Sequence, residues 1–233
     1  MDILYTLAEN YDGAELRYSL RSLKNIPHER VFIVGGCPKW VKNVIHIPAT
    51  QSGTKYKNTT ENLKIACNDT RLSEDFIFFN DDFFVIKTIK DPVKELNIYM
   101  GTVQSIIDAL YKWHPFGSAY IRGMEETRVL LCELGKQEPL SYELHIPCIF
   151  NKYNYLKMFD IEGVKDINCL HKRTLYGNLY RTGGKYMQDV KVLTRHKFDT
   201  AKVDKFLSCS NAAFDKVSAY LGGKFPEKSP YEI

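Results

Sequence analysis

Short apolar runs alternate with polar, turn-forming segments along the N-terminal part of the chain. Ile3-Leu4-Tyr5-Thr6-Leu7 gives way to Glu9-Asn10-Tyr11-Asp12-Gly13, which predicts a first core strand ending in a loop. From Ala14 to Lys24, Leu16, Leu20 and Leu23 recur at helical spacing, with Asp12 and Glu15 placed as in a capping box. Val31-Phe32-Ile33-Val34 is continuously apolar and stops at Gly35-Gly36, so it predicts a buried second strand with a flexible exit. Strand, helix, strand in that order is a βαβ unit and argues for a parallel sheet. Val44 to Pro48 predicts another short strand, Ala49 to Asn58 a polar loop, and Asn58 to Cys67 a helix with Leu63, Ala66 and Cys67 on one side.

The sharpest feature is Asp75-Phe76-Ile77-Phe78-Phe79-Asn80-Asp81-Asp82-Phe83-Phe84-Val85. Aromatic and β-branched residues end abruptly in Asn-Asp-Asp, and three apolar residues follow. One reading is a plain turn between two hairpin strands, because Asn and Asp suit turns. The other is a buried strand delivering two carboxylates at its tip. Adjacent carboxylates in such a place repel one another and lose hydration, and a cation relieves both costs. Mg²⁺ or Mn²⁺ suits carboxylate oxygens and leaves positions open for phosphate oxygens. Ligands of parallel sheets bind beyond the carboxyl ends of the strands. Glu9, Gly35-Gly36 and Asn80-Asp81-Asp82 all follow apolar runs, which would put all three on one crevice.

The C-terminal half is less regular. Lys87 to Glu95 reads as mixed-charge surface, followed by helices around Gly101 to Trp113 and Glu125 to Leu134. Between them Trp113-His114-Pro115-Phe116-Gly117 is an aromatic loop, a lid or a packed corner. His145 opens the apolar run Ile146-Pro147-Cys148-Ile149-Phe150 and is either a structural hydrogen bonder or a general acid–base group. His171, Lys172 and Arg173 form a second candidate anion-binding point, and Arg181 to Lys185 is a strong turn signal. Phe206 to Asn211 reads as a short strand or turn, and Ala212 to Leu221 as a final helix.

Composition narrows the classes. The 233 residues form one domain with excursions, and the aromatic share of 13% is high. A formal charge of +4 permits an anionic substrate. It does not demand nucleic acid, a partner that no stacking motif or basic stripe supports. The six cysteines form no C-x-x-C pair and read as buried thiols. No long apolar run or basic leader is present, so no membrane span and a cytoplasmic setting are expected. Arg17, Arg21 and Lys24 share a helix face, either solvated or a phosphate clamp, since the Arg fork matches phosphate oxygens. Lys55 and Lys57 either close over a phosphate or are solvated. Oligomeric state stays open.

Several segments together resemble the Stealth family, the sugar-phosphate transferases of microbial capsule synthesis that also include the lysosomal-enzyme N-acetylglucosamine-1-phosphotransferase. Glu15-Leu16-Arg17-Tyr18-Ser19-Leu20-Arg21-Ser22 is similar to its E-L-R-Y-S-L-R-S signature. Val31 to Val34 with Pro38-Lys39-Trp40 is similar to I-x-I-V followed by P-x-W, and Leu72 to Asp82 to L-S-x-x-F-I-Y-x-N-D-D. Asp2 to Thr6, His145-Ile146-Pro147 and Phe206 to Asn211 are looser echoes, and the last lacks the family's closing acid. The resemblance implies a GT-A-like nucleotide-sugar-binding α/β fold with a mainly parallel central sheet flanked by helices. Residues 1–100 would form the nucleotide-sugar half and 101–233 the acceptor half. The implied reaction is metal-dependent transfer of a hexose-1-phosphate from a nucleotide-sugar, most naturally a UDP-sugar, to a saccharide hydroxyl. On that reading Asp81 and Asp82 bind Mg²⁺ or Mn²⁺, and Arg17 and Arg21 position the diphosphate. Arg173 adds a second phosphate contact, Asn80 and Glu9 help bind the nucleotide, and His145 is the acceptor base. The alternatives are a GT-A glycosyltransferase releasing the intact nucleoside diphosphate, and a non-catalytic binding protein on the same fold.

Overall fold

In the computed structural model, which describes residues 1–233, each apolar run of the N-terminal part becomes a strand of one sheet. The order is β1 (Asp2–Leu7), α1 (Glu15–Ser22), β2 (Val31–Gly35), β3 (Ile45–Ile47), α2 (Lys55–Asn68) and β4 (Asp75–Phe79). β1 lies between β2 and β4, parallel to both, with Tyr5 opposite Ile33 on one side and Phe79 on the other, and β3 extends the sheet beyond β2. Successive strand residues point to opposite faces, and both faces are covered. Ile3, Tyr5, Ile33, Ile77 and Phe79 pack with Leu16 and Leu20 of α1 and with Leu23 just after it. Leu4, Phe32, Val34, Phe76 and Phe78 pack with Leu63, Ala66 and Cys67 of α2. That is why these strands read as unbroken apolar runs.

Two N-terminal details differ from expectation. The capping box does not form: Ala14 precedes α1 in helical conformation with no side-chain cap, and Asp12 instead accepts a hydrogen bond from Trp40 Nε1 at 3.0 Å. α2 starts three residues early because Thr54 caps it, accepting from the Lys57 N–H, so Lys55 and Lys57 belong to its first turn.

The chain then runs through β5 (Phe83–Val85), α3 (Pro92–Glu95), β6 (Ile98–Tyr99), α4 (Val103–Trp113), α5 (Ala119–Glu133), β7 (Cys148–Asn151), α6 (Lys152–Lys157) and α7 (Lys172–Tyr180). It ends with β8 (Lys185–Tyr186), β9 (Lys191–Val192), β10 (Phe206–Cys209) and α8 (Phe214–Lys224). β7 completes the main sheet as an antiparallel edge on β4, in the order β3-β2-β1-β4-β7. β5 does not fold back on β4. It crosses to a second sheet in the order β5-β10-β9, antiparallel to β10, so Asn80-Asp81-Asp82 is a passage between sheets and not a hairpin turn. α5 begins well before Glu125, capped by Ser118. Gly123 inside it lowers the local helix signal and is required there, because any Cβ would run into the backbone of Cys169. The aromatic loop is neither packed nor buried: Phe116 is 99% exposed, and Trp113 lies under the Arg195 guanidinium. All six cysteines are free thiols, and no helix is long and apolar enough to cross a membrane.

Candidate active site

Asp81 and Asp82 stand at the carboxyl end of β4, where the chain leaves the main sheet. The turn is closed by the Phe83 N–H donating to the Asn80 carbonyl. Phe83, Phe84 and Val85 are fully buried, which anchors the turn from its far side. α1 stitches this strand in place: Ser19 Oγ donates to the Phe83 carbonyl at 2.7 Å, and Ser22 Oγ accepts from the Val85 N–H at 3.1 Å. Tyr5 Oη shares a 2.9 Å hydrogen bond with Ser19. The two serines of the Glu15–Ser22 motif therefore position the strand that follows the acidic pair.

The two carboxylates are not equivalent. Asp82 is buried, and its Oδ2 accepts from Lys191 Nζ and from Ser208 Oγ, both at 3.1 Å. The small sheet explains this convergence, because Ser208 is opposite Phe83 on one side and Lys191 on the other. Asp81 has no such cation. Burial and the neighbouring Asp82 charge push its pKa up to about 6, with Glu15 adding to the rise. The Tyr11 hydroxyl is buried beside Asp81 and Glu15 without a partner at hydrogen-bonding geometry. The site thus brings Asp81, Asp82 and Glu15 near one another, with the Lys191 ammonium group on Asp82. Two hard carboxylates with unused oxygen positions fit a Mg²⁺ or Mn²⁺ ion. No third His, Cys, Asp or Glu completes a cage, which matches ions that rely on one or two carboxylates plus substrate phosphates.

His145 sits beside this turn, its ring edge-on to Phe83 at 6.4 Å between centroids. Asp189 grips it twice, accepting from the His145 backbone N–H at 2.9 Å and facing Nδ1 at 2.7 Å. Burial would raise the Asp189 pKa, but these contacts with His145 outweigh it and hold the carboxyl below its usual range. A proton on Nδ1 facing the ionised Asp189 would leave Nε2 with a lone pair, the arrangement of a general base oriented by a carboxylate.

Arg173 holds the same segment. Its guanidinium donates to the carbonyls of Leu144 and, at 3.2 Å, Ile146, on either side of His145, and lies over the rings of Phe78 and Phe83. In this structure it braces the segment that carries His145. His171, Lys172 and Arg173 do not form one anion point. His171 is buried, facing the Tyr120 carbonyl through Nε2 at 2.9 Å, with Nδ1 3.8 Å from Glu143.

The helix arginines are likewise committed elsewhere. Arg21 makes two 2.8 Å hydrogen bonds to the carboxylate of Glu232, and Arg17 reaches the same group at 3.5 Å while stacking on Trp40. Burial opposes ionisation of Glu232, yet the Arg21 hydrogen bonds hold its pKa at about 2. The expected phosphate clamp is thus an ion-pair cluster with the C-terminal segment.

Glu9 lines a separate open cleft of about 340 Å³ with Gly35, Gly36, Cys37, His46 and Thr50, beyond the carboxyl ends of β1 and β2. Gly35 adopts φ +99° there, and any Cβ on it would strike the Leu7 carbonyl, so the backbones approach closely at the cleft floor. The loop that carries Glu9 also carries Tyr11, which links this cleft to Asp81. Lys191, Ser208 and Asp189 were not legible as site residues from sequence. The only hint was the loose motif echo around Ser208.

No family model matches the sequence, and no curated protein matches it. Among solved structures, the galactosyltransferase LgtC in complex with donor and acceptor sugar analogues is similar at a TM-score of 0.57 and 12% identity, over 99% of this chain and 98% of that one. An active-site mutant of LgtC is similar at a TM-score of 0.55 and 12% identity, over the same shares of both chains. The chain therefore has the α/β fold of LgtC, a GT-A arrangement with a mainly parallel central sheet flanked by helices, and at this identity the likeness is one of fold.

Proposed function

We propose that this protein is a nucleotide-sugar-dependent glycosyltransferase that passes a sugar to a saccharide hydroxyl and releases the nucleoside diphosphate intact. The observation that carries the reading is the convergence of the Asp81–Asp82 pair, at the carboxyl edge of the central parallel strands, with a His145–Asp189 dyad. The GT-A fold shared with LgtC supports it. Residues 1–100 supply the donor side: Glu9 in the cleft beyond β1 and β2 for the nucleoside, Asn80 shaping the turn, and Asp81 and Asp82 holding Mg²⁺ or Mn²⁺. When bound, that ion neutralises charge on the departing diphosphate. Residues 101–233 supply the acceptor side and, through Lys191, one charge beside the diphosphate.

The acceptor hydroxyl loses its proton to His145 Nε2, its oxygen bonds to the anomeric carbon, and the bond from that carbon to the diphosphate oxygen breaks. Asp189 stabilises the imidazolium that results. Lys191, already beside Asp82, supplies a fixed positive charge where the diphosphate gains negative charge.

A second reading, attack at phosphorus with transfer of a hexose-1-phosphate, is favoured by the Glu15–Ser22 and Leu72–Asp82 motifs resembling the Stealth family. The same groups serve that reaction equally well. The donor site itself is tested by thermal unfolding. Mn²⁺ with UDP should raise Tm by several degrees, and Asp81→Asn with Asp82→Asn should abolish the rise. No rise with any of a panel of nucleoside diphosphates would remove the donor site from the proposal.

A further inference from the structure

An open cleft of about 810 Å³ runs away from the acidic pair, with Asp189 and Lys191 among its lining residues. It is far roomier than a single hydroxyl requires and falls in the size range of sites that enclose whole ligands. Its charges are unevenly spent. Lys205 pairs with Glu95, Lys191 with Asp82, Asp204 with Lys87, and Asp189 with His145. Lys185, Lys197 and Lys202 also line the cleft, and none has an ion-pair partner. Against them stands Asp199, whose carboxylate caps the Ala201 N–H. In the same wall the Tyr186 ring is 54% exposed and is braced edge-on by Tyr99, with centroids 6.0 Å apart. A braced, exposed aromatic face beside unpaired ammonium groups suits a sugar ring that carries negative charge.

We propose that this cleft is the acceptor subsite and that the acceptor is an anionic saccharide, bearing carboxylate or phosphate groups, held by Lys185, Lys197 and Lys202 with one sugar face on Tyr186. Delivery of its hydroxyl to His145 rests on the transferase reading above; binding of the acidic chain does not.

The test is calorimetric titration of the 233-residue chain, without donor, using four oligomers of equal length: an oligoglucuronate, an oligosaccharide linked by phosphodiesters, a neutral glucan and single-stranded RNA. At least one acidic saccharide should bind ten-fold or more tightly than the neutral glucan, and the stronger of the two identifies the charged group. Binding should weaken steeply with salt. Lys185→Ala with Lys197→Ala and Lys202→Ala should reduce it at least ten-fold, and Tyr186→Ala should weaken it while leaving the salt slope unchanged. Both variants should keep the Tm rise with Mn²⁺ and UDP. Equal binding of glucan and acidic saccharides, tightest binding of RNA, or an unchanged affinity in the triple variant overturns the proposal. Loss of the Mn²⁺–UDP response in the parent protein, with acidic saccharide binding intact, would instead remove the transferase reading and leave this subsite standing.

Discussion

Lys191 Nζ lies 3.1 Å from Asp82 Oδ2, and the residue two positions before it, Asp189, lies 2.7 Å from His145. One short segment entering β9 therefore serves both the acidic pair and the histidine. It reaches them only because β9 joins the small sheet through β10. The chemistry of the site depends on that sheet as much as on the central one.

Asp81 should behave as a destabilising functional group. Its pKa of about 6 in the folded protein is above the ordinary 3.8, so the folded state binds its proton more tightly than the unfolded state. That contribution to stability is complete below pH about 4 and is lost as pH rises through about 6. Asp81→Asn should therefore stabilise the metal-free protein at pH 7.5 by about 1–3 kcal/mol, with little change at pH 4. Denaturant unfolding at the two pH values checks this, and a variant less stable than the parent at pH 7.5 contradicts it.

Asp189→Asn should leave donor binding alone and slow the reaction. Without the carboxylate, His145 loses both its orientation and the stabilisation of its protonated form. We expect kcat/KM to fall about 100-fold, with the rise of rate with pH displaced, while the Mn²⁺–UDP shift in Tm is retained. A rate within two-fold of the parent, roughly 0.4 kcal/mol in barrier, would remove Asp189 as the group that orients His145.

Glu232→Gln addresses the arginines. Its folded pKa of about 2 is below the ordinary 4.5, so its contribution to stability is present above pH about 4.5 and disappears as pH falls through about 2. The substitution should cost about 2 kcal/mol at pH 7 and much less near pH 2, because Arg21 loses its partner. The affinity for Mn²⁺–UDP should not move. A large loss of nucleotide affinity with unchanged stability would return Arg17 and Arg21 to the phosphate site.

Ser19→Ala should expose the cost of holding β5. It removes the donor to the buried Phe83 carbonyl and the partner of Tyr5, for an expected loss of about 1–3 kcal/mol measured by urea unfolding. An unchanged midpoint would mean that the strand after Asp82 is held by packing alone.

The central sheet was legible because its strands are buried on both faces, so Val31–Val34 and Phe76–Phe79 are continuous apolar runs of strand length. The acidic tip at Asp81–Asp82 was legible for the same reason: a polar pair interrupts a buried run. What sequence could not supply were partners set by distant closure. Glu232 meets Arg21 across 211 positions, and Ser208 meets Asp82 across 126. Local pattern showed Arg17 and Arg21 as free cations, whereas in the fold they share the one carboxylate of Glu232. Lys191 and Asp189 occupy a strand of two residues and the irregular segment before it, too short for any periodicity to reveal. The capping box failed similarly, because Asp12 found Trp40 before it found the helix.

The most direct measurement is mass spectrometry of the nucleotide released when the protein is incubated with Mn²⁺, a set of nucleotide-sugars and an acidic oligosaccharide. The glycosyltransferase reading predicts an intact nucleoside diphosphate from the parent protein and none from Asp81→Asn with Asp82→Asn. Release of the nucleoside monophosphate would contradict glycosyl transfer and assign attack at phosphorus. Equal release by parent and variant would contradict the assignment of the acidic pair.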